Sequence, residues 1–212
     1  ASQMQALKDT GIHFIDFTGG EPTLATQFVC TVSTAAKDHG ISTGIVTAAH
    51  WAVNKSHAIK FIHKFERIDE WDISTDVYHL PFVPIEQVEL AYNLLSDLGK
   101  SPAIRIAYHE PLTLEDAILI DKVYKFAGRR ISFQPVGPIG RAAEIFQYVP
   151  SNQENWDRTP CPSTGPLVQP FGDVAPCCAP LSHEEYDHAL RLGNASYESL
   201  TDIVARWRVH PL

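Results

Sequence analysis

A chain of 212 residues, 44% apolar and 20% charged, can bury one sizeable core with room for a small appendage, and it lacks the composition of a disordered segment. Its net charge of −8 argues against nucleic acid as a partner, because phosphate binding selects a basic surface. No apolar run approaches the ~20 residues of a membrane span, and ASQMQALKDTG at the start lacks the layout of a signal peptide.

The first β-rich run, His13 to Phe17, leads through Thr18 into Gly19-Gly20-Glu21-Pro22. Adjacent glycines at a strand's end let backbone approach a ligand closely, with no Cβ in the way. Glu21 adds a carboxylate that can pair with a cation, and Pro22 suits the first turn of a helix. Two readings stand: a binding edge, or a tight strand-to-helix turn closed by a capping acid.

Helical spacing follows from Thr23 to His39, with Leu24, Phe28, Val32 and Ala35 on one face and Gly40 as the stop. Further β-rich runs begin at 41 (ISTGIVT), 70 (EWDIST), 102 (PAIRIAY) and 130 (RISFQPV). Helix patterns lie between them. Ile85 to Leu98 carries Ile85, Val88, Ala91, Tyr92, Leu95 and Leu98 and closes at Gly99; Leu112 to Phe126 is followed by Gly128. Strands alternating with helices imply right-handed crossovers and a parallel sheet. The even repeat, about thirty residues long, suits a barrel or an arc of one, with chemistry at the strands' C-terminal ends.

Past about 148 the texture changes. Pro150, Pro160, Pro162, Pro166 and Pro170 exclude a long helix. Leu167 to Ala175 reads as a hairpin with Gly172-Asp173 at its turn, and Tyr197 to Trp207 as a short helix. The domain boundary is expected near 148, with 1–148 the partial barrel and 149–212 a small irregular domain.

Four cysteines stand at 30, 161, 177 and 178, too few for a disulfide scaffold and consistent with a reducing cytoplasm. Cys30 reads as a small buried hydrophobe. Cys161, ten residues, Gly172, four residues, Cys177 is a spacing in which a hairpin could bring distant thiolates together, as iron–sulfur clusters require. Cys178 either ligates or points elsewhere. Zinc held by Cys161, Cys177, Cys178 and His183 or His188 is the alternative, although a compact Cys-x-x-Cys knuckle is missing. His13, His50, His79 and His109 fall on or near strands, which invites a metal-hydrolase reading, but no His-x-His pattern supports it.

The Gly19-Gly20-Glu21-Pro22 step resembles the GGEP motif of the radical S-adenosylmethionine (radical SAM) superfamily. The Cys161–Gly172–Cys177 spacing, with Leu192-Gly193-Asn194 and Glu198-Ser199-Leu200 after it, resembles the opening of that superfamily's SPASM or twitch extension. The resemblance implies an α/β fold, a partial (β/α)6 parallel barrel followed by a small SPASM/twitch-like extension. It implies that Gly19, Gly20 and Glu21 bind the methionine end of S-adenosylmethionine, and that Ser74 and Asp76 contact cofactor or substrate. A strand end capping a turn is the equal alternative for that last pair. Cys161, Cys177 and Cys178 become ligands of an auxiliary [4Fe–4S] cluster. Arg105 and Glu110 loosely match an adenine-contacting segment, and Gln134-Pro135 with Gly140-Arg141-Ala142 the end of the sixth family strand.

The family's Cys-x3-Cys-x2-Cys loop, which holds the catalytic [4Fe–4S] cluster, should precede the glycine pair, yet residues 1–20 contain no cysteine. Ala1 to Gly11 matches the end of the helix after that loop, and the cysteines of a complete SPASM domain are missing at the other end. Truncation at both ends is one explanation; a non-catalytic or regulatory module that lost the cluster is the other. The implied function of the intact enzyme is reductive cleavage of S-adenosylmethionine to a 5′-deoxyadenosyl radical that abstracts hydrogen from a peptide, a protein or a small molecule. The implied partners are that substrate and an electron donor such as a flavodoxin or ferredoxin, with no nucleic acid and no membrane. The chain alone is expected to be catalytically silent and, with its first strand unpaired, prone to associate.

Overall fold

Five parallel strands in the order of the sequence organise the larger part of the chain: β1 (Phe14–Phe17), β2 (Ser42–Thr47), β3 (Glu70–Thr75), β4 (Ser101–Tyr108) and β5 (Ile131–Pro135). The computed structural model describes residues 2–136, 165–177 and 190–210. Ile12–Val136 form one compact unit, and Ala1–Gly11 with Gly137–Leu212 form a second. The boundary expected near 148 lies outside the described residues.

In the first unit the connections are α2 (Thr26–Asp38), α3 (Lys55–Lys64), α4 (Ile85–Asp97) and α5 (Leu114–Ala127). Because the strand order never reverses, right-handed crossovers put every helix on the same face of the sheet. This is an arc of a barrel, not a doubly wound sheet. Ile45, Ile73, Ile104 and Ile106 bury that face against Val29, Ala58, Ile62, Val88, Leu95, Leu119 and Val123. Trp51 stacks on Phe61 at 5.0 Å and meets Trp71 edge-on at 5.6 Å, filling the space under α3. Each such fully buried side chain contributes roughly 1.5–3 kcal/mol.

Local rules account for the ends. Asn54 caps α3 by accepting from the His57 amide, and Thr113 and Asp116 close a reciprocal capping box on α5. Helix α3 carries His57 and His63, which the sequence places on helices or helix ends. Helix α2 differs from expectation: Pro22–Ala25 is a separate 3-10 turn, and Val29, Ser33 and Ala36 are the buried face. Leu24 and Phe28, expected inside, are 76% and 64% exposed.

The second unit holds a small antiparallel sheet of β6 (Leu167–Val168), β7 (Asp173–Ala175) and β8 (Gly193–Asn194), with α6 (Leu200–Arg208). Its core is Val174, Leu192 and Ile203, backed by Leu200 and Trp207. Helix α1 (Ser2–Asp9) packs against α6. The hairpin turn is Gln169-Pro170-Phe171-Gly172, closed by the Gly172 amide on the Gln169 carbonyl at 2.9 Å, so Asp173 already belongs to the strand.

Candidate functional site

All five parallel strands end at the same edge of the sheet, and Gly19, Gly20, Glu21, Ser74, Asp76 and Gln134 lie there or on the face opposite the helices α2 to α5. At the end of β1, Gly19 has φ +115, a conformation costly for any residue with a Cβ, and space beside both Gly19 and Gly20 is open. Glu21 is extended, which turns its carboxylate back over the following 3-10 turn. Its Oε1 accepts from the Thr23 amide at 3.2 Å and the Thr23 hydroxyl at 2.6 Å. Its Oε2 accepts from the Ala48 amide at 2.9 Å and the Thr47 hydroxyl at 3.2 Å.

These four donors match the four lone-pair positions of a carboxylate. The Thr47 hydroxyl is itself oriented: it accepts from the Ala49 amide at 3.2 Å and Trp51 Nε1 at 3.1 Å, leaving its single proton for Glu21. Glu21 thus caps the turn and ties the end of β1 to the end of β2. His50 Nδ1 lies 3.6 Å from the same Oε2.

The end of β3 carries the next group. Asp76 is 3% exposed; its Oδ1 accepts from the amides of Tyr78 and His79, both at 2.9 Å, and its Oδ2 faces His79 Nδ1 at 2.8 Å. The Asp76 hydrogen bond raises the His79 pKa above its usual value; partial burial opposes it, and Asp76 and Glu21 add attraction. Asp76 is therefore the turn-capping acid that the sequence allowed, with a histidine as its partner.

The face of the sheet opposite α2 to α5 is polar. Register and alternation put Asp16, Glu70, Asp72, Ser74, Arg105 and Ser132 on it, and Gln134 lies beside Ala107 on the same face. Gly44 makes room here, since a Cβ would lie 2.7 Å from both Asp16 Oδ1 and the Phe14 ring. Arg105 pairs with Asp72, and among the described residues Asp72 Oδ1 is buried with no hydrogen-bond partner. Although Asp16 keeps a solvent-facing side, the protein crowded around it pushes its pKa up to about 6, with Arg105 opposing and Asp72 and Glu70 adding to the rise. Burial likewise raises Asp72 against the pull of Arg105.

Ser74 and Gln134 thus share one face. Glu110 is exposed and joined to Pro111 through a cis peptide bond. Gly140, Arg141 and Ala142 lie outside the described residues. The motifs that mark the strand ends pass over Asp16 and Asp72; the alternation in EWDIST, which sets Asp72 and Ser74 opposite Trp71, Ile73 and Thr75, is the signal that marks the second.

In the second unit, Cys177 is a half-buried free thiol two residues past β7, whereas Cys161 and Cys178 lie outside the described residues. Asn194 holds the hairpin above it, donating to the Phe171 carbonyl at 3.1 Å and Asp173 at 3.0 Å while accepting from the Ser196 amide at 2.8 Å. Gly172, with φ +88, leaves room for the Asn194 and Ser196 side chains. Glu198 then takes the Asn194 amide at 2.7 Å and Arg206 at 2.5 Å, which locks the Leu192-Gly193-Asn194 step onto α6. Cys30 donates to the Lys64 carbonyl, and burial raises its pKa, as befits a structural thiol. Among the described residues no group of three or more His, Cys, Asp or Glu side chains could hold a metal ion.

Residues 161–209 match the SPASM model, described as an iron–sulfur cluster-binding domain. Solved structures agree at the level of fold. Native anSMEcpe with bound AdoMet aligns at TM-score 0.59 and 15% identity over 99% of this chain and 72% of that one. The form with bound AdoMet and a Kp18Cys peptide gives 0.55 and 16% over 95% and 71%, and the hexahistidine-tagged form with bound AdoMet 0.57 and 17% over 99% and 70%. No curated protein sequence matches the chain. The SPASM-type match covers both cysteines of the spaced pair, Cys161 and Cys177, together with Cys178 and the Leu192-Gly193-Asn194 step. Thiol donors in that domain suit an iron–sulfur cluster, which binds through cysteine sulfur. No helix among the described residues is long and apolar enough to cross a membrane.

Proposed function

We propose that this chain belongs to a radical SAM enzyme, with the open glycine edge at Gly19-Gly20-Glu21 as the place where S-adenosylmethionine's amino-acid end rests. The observation that carries the reading is this edge: bare backbone and a fully oriented carboxylate at the C-terminal ends of β1 and β2, in a fold that AdoMet-bound anSMEcpe shares. Bound, the cofactor and a catalytic [4Fe–4S] cluster supply a 5′-deoxyadenosyl radical for hydrogen abstraction. The chain's own residues bind and orient. Gly19 and Gly20 permit close approach, and Glu21 offers charge to an ammonium group through an oxygen that a rotating hydroxyl vacates. Asp76 and Ser74 shape the neighbouring strand end, and Cys161, Cys177 and Cys178 hold an auxiliary cluster in the SPASM part.

The substrate is a peptide or protein in this reading, with a small molecule second; a peptide is bound in one structure of anSMEcpe. Electrons come from a flavodoxin- or ferredoxin-type donor, and the protein works in the cytoplasm. One observation favours a second reading, a barrel module without catalysis: the chain itself fills all four positions on Glu21. The test is 5′-deoxyadenosine formation by the intact protein after anaerobic reconstitution with iron and sulfide. Cleavage that falls at least about tenfold in Glu21→Ala, with weaker cofactor binding, supports the enzyme. Absence of cleavage in the wild type supports the module, and unchanged affinity and cleavage in Glu21→Ala removes the acid's assigned role.

A further inference from the structure

We propose that His79, fixed by Asp76, is the anion anchor of the strand-end site and gates it by pH, donating its Nε2–H to the ligand's α-carboxylate. The inference rests on the reading that the strand ends hold S-adenosylmethionine. It names a residue for the half of that zwitterion that Glu21, an anion, repels.

The geometry fixes which nitrogen does what. Asp76 is nearly buried and accepts from the Tyr78 and His79 amides through Oδ1, so Oδ2 is free to take the proton of His79 Nδ1 at 2.8 Å. A carboxylate accepts only, so the Nδ1 proton stays in place in both charge states of the ring. The proton that comes and goes is therefore on Nε2. Among the described residues no other group hydrogen-bonds the His79 ring, whose side chain is 41% exposed at the sheet edge.

In the imidazolium form Nε2–H is a charge-assisted donor for a carboxylate. In the neutral form the same atom is an acceptor and repels it. The charged groups that act on His79 are Asp76 on its own loop and Glu21 from the end of β1, both acidic, and both favour the cation. His50, the other histidine of this edge, has its Nδ1 turned toward Glu21.

The test is calorimetric binding of S-adenosyl-L-homocysteine, which keeps the α-amino acid group, to the reconstituted chain at pH 6.0 and 8.5. The companion probe is 5′-methylthioadenosine, which lacks that group. The wild type should bind the first probe about tenfold more weakly at the higher pH and the second equally at both. His79→Gln, a neutral donor at every pH, should lose that extra pH dependence and bind weakly at pH 6.0. His79→Arg should restore binding at pH 8.5, which separates an anchoring role from misfolding. Titration of the ligand's own amine is common to all variants, so the difference in slope is the readout. Equal slopes in wild type and His79→Gln overturn the inference and leave the underlying reading standing. Failure of the wild type to bind S-adenosyl-L-homocysteine at either pH overturns both.

Discussion

Asp16 stands in the middle of the polar face with its pKa raised from 3.8 to about 6, so between those values the folded state holds more protons than the unfolded one. Stability from this group therefore falls as pH rises through that window. Asp16→Asn should melt at a higher temperature than the wild type at pH 7, and the advantage should vanish by about pH 4, as differential scanning calorimetry at the two pH values will show. Thr47 is the opposite case, a hydroxyl that satisfies three partners at once. Thr47→Val keeps the shape but strands the Trp51 and Ala49 N–H groups, and should cost about 1–3 kcal/mol in urea unfolding. Spacing sets Thr47 at a strand's C-terminal end without giving it a role, and it leaves Asp16 unmarked. Asp16 becomes informative only when register sets it beside Gly44 and in the field of Arg105, and Thr47 only when the chain turns left-handed at Ala49, φ 59.

Among the elements, the strands were legible because alternation and β-branched runs specify a half-buried pleat. Each expected strand is present within a residue or two. The face of α2 was not legible. The turn Pro22–Ala25 is 3-10, with 3.0 residues per turn instead of 3.6, so a helical phase carried on from Leu24 points the wrong side inward. The true phase, Val29, Ser33 and Ala36, follows i, i+4, i+7 from the start of α2 proper. Helix α5 owes its start to the Thr113–Asp116 box, and Thr113→Ala should destabilise the protein by about 1 kcal/mol in chemical denaturation. The hairpin of the second unit depends on Gly172. Gly172→Ala forces a Cβ into the Asn194 and Ser196 side chains at positive φ. It should cut iron retained after reconstitution by at least about half, measured per chain, because the turn sets where Cys177 sits relative to the strand before it.

For the whole molecule, period and chemistry came from different parts of the sequence. An even spacing of strands and helices foretold an arc of a barrel, and the sequential order β1-β2-β3-β4-β5 confirms it. Local motifs located the strand-end edge at Gly19-Gly20-Glu21, but the partners of Glu21 are 26 and 27 residues away in Thr47 and Ala48, a closure that no local pattern announces. The cross-strand Asp72–Arg105 pair and the Asp76–His79 pair are likewise products of register and turn geometry. On the proposed function, the C-terminal ends of β1, β2 and β3 form one cofactor-binding edge. Hydrogen–deuterium exchange of the reconstituted protein with and without S-adenosyl-L-homocysteine tests it directly, because amides that a ligand covers or rigidifies exchange more slowly. Protection is expected to concentrate at Gly19–Leu24, Val46–His50 and Asp76–His79. Protection elsewhere with none at these three segments would contradict it.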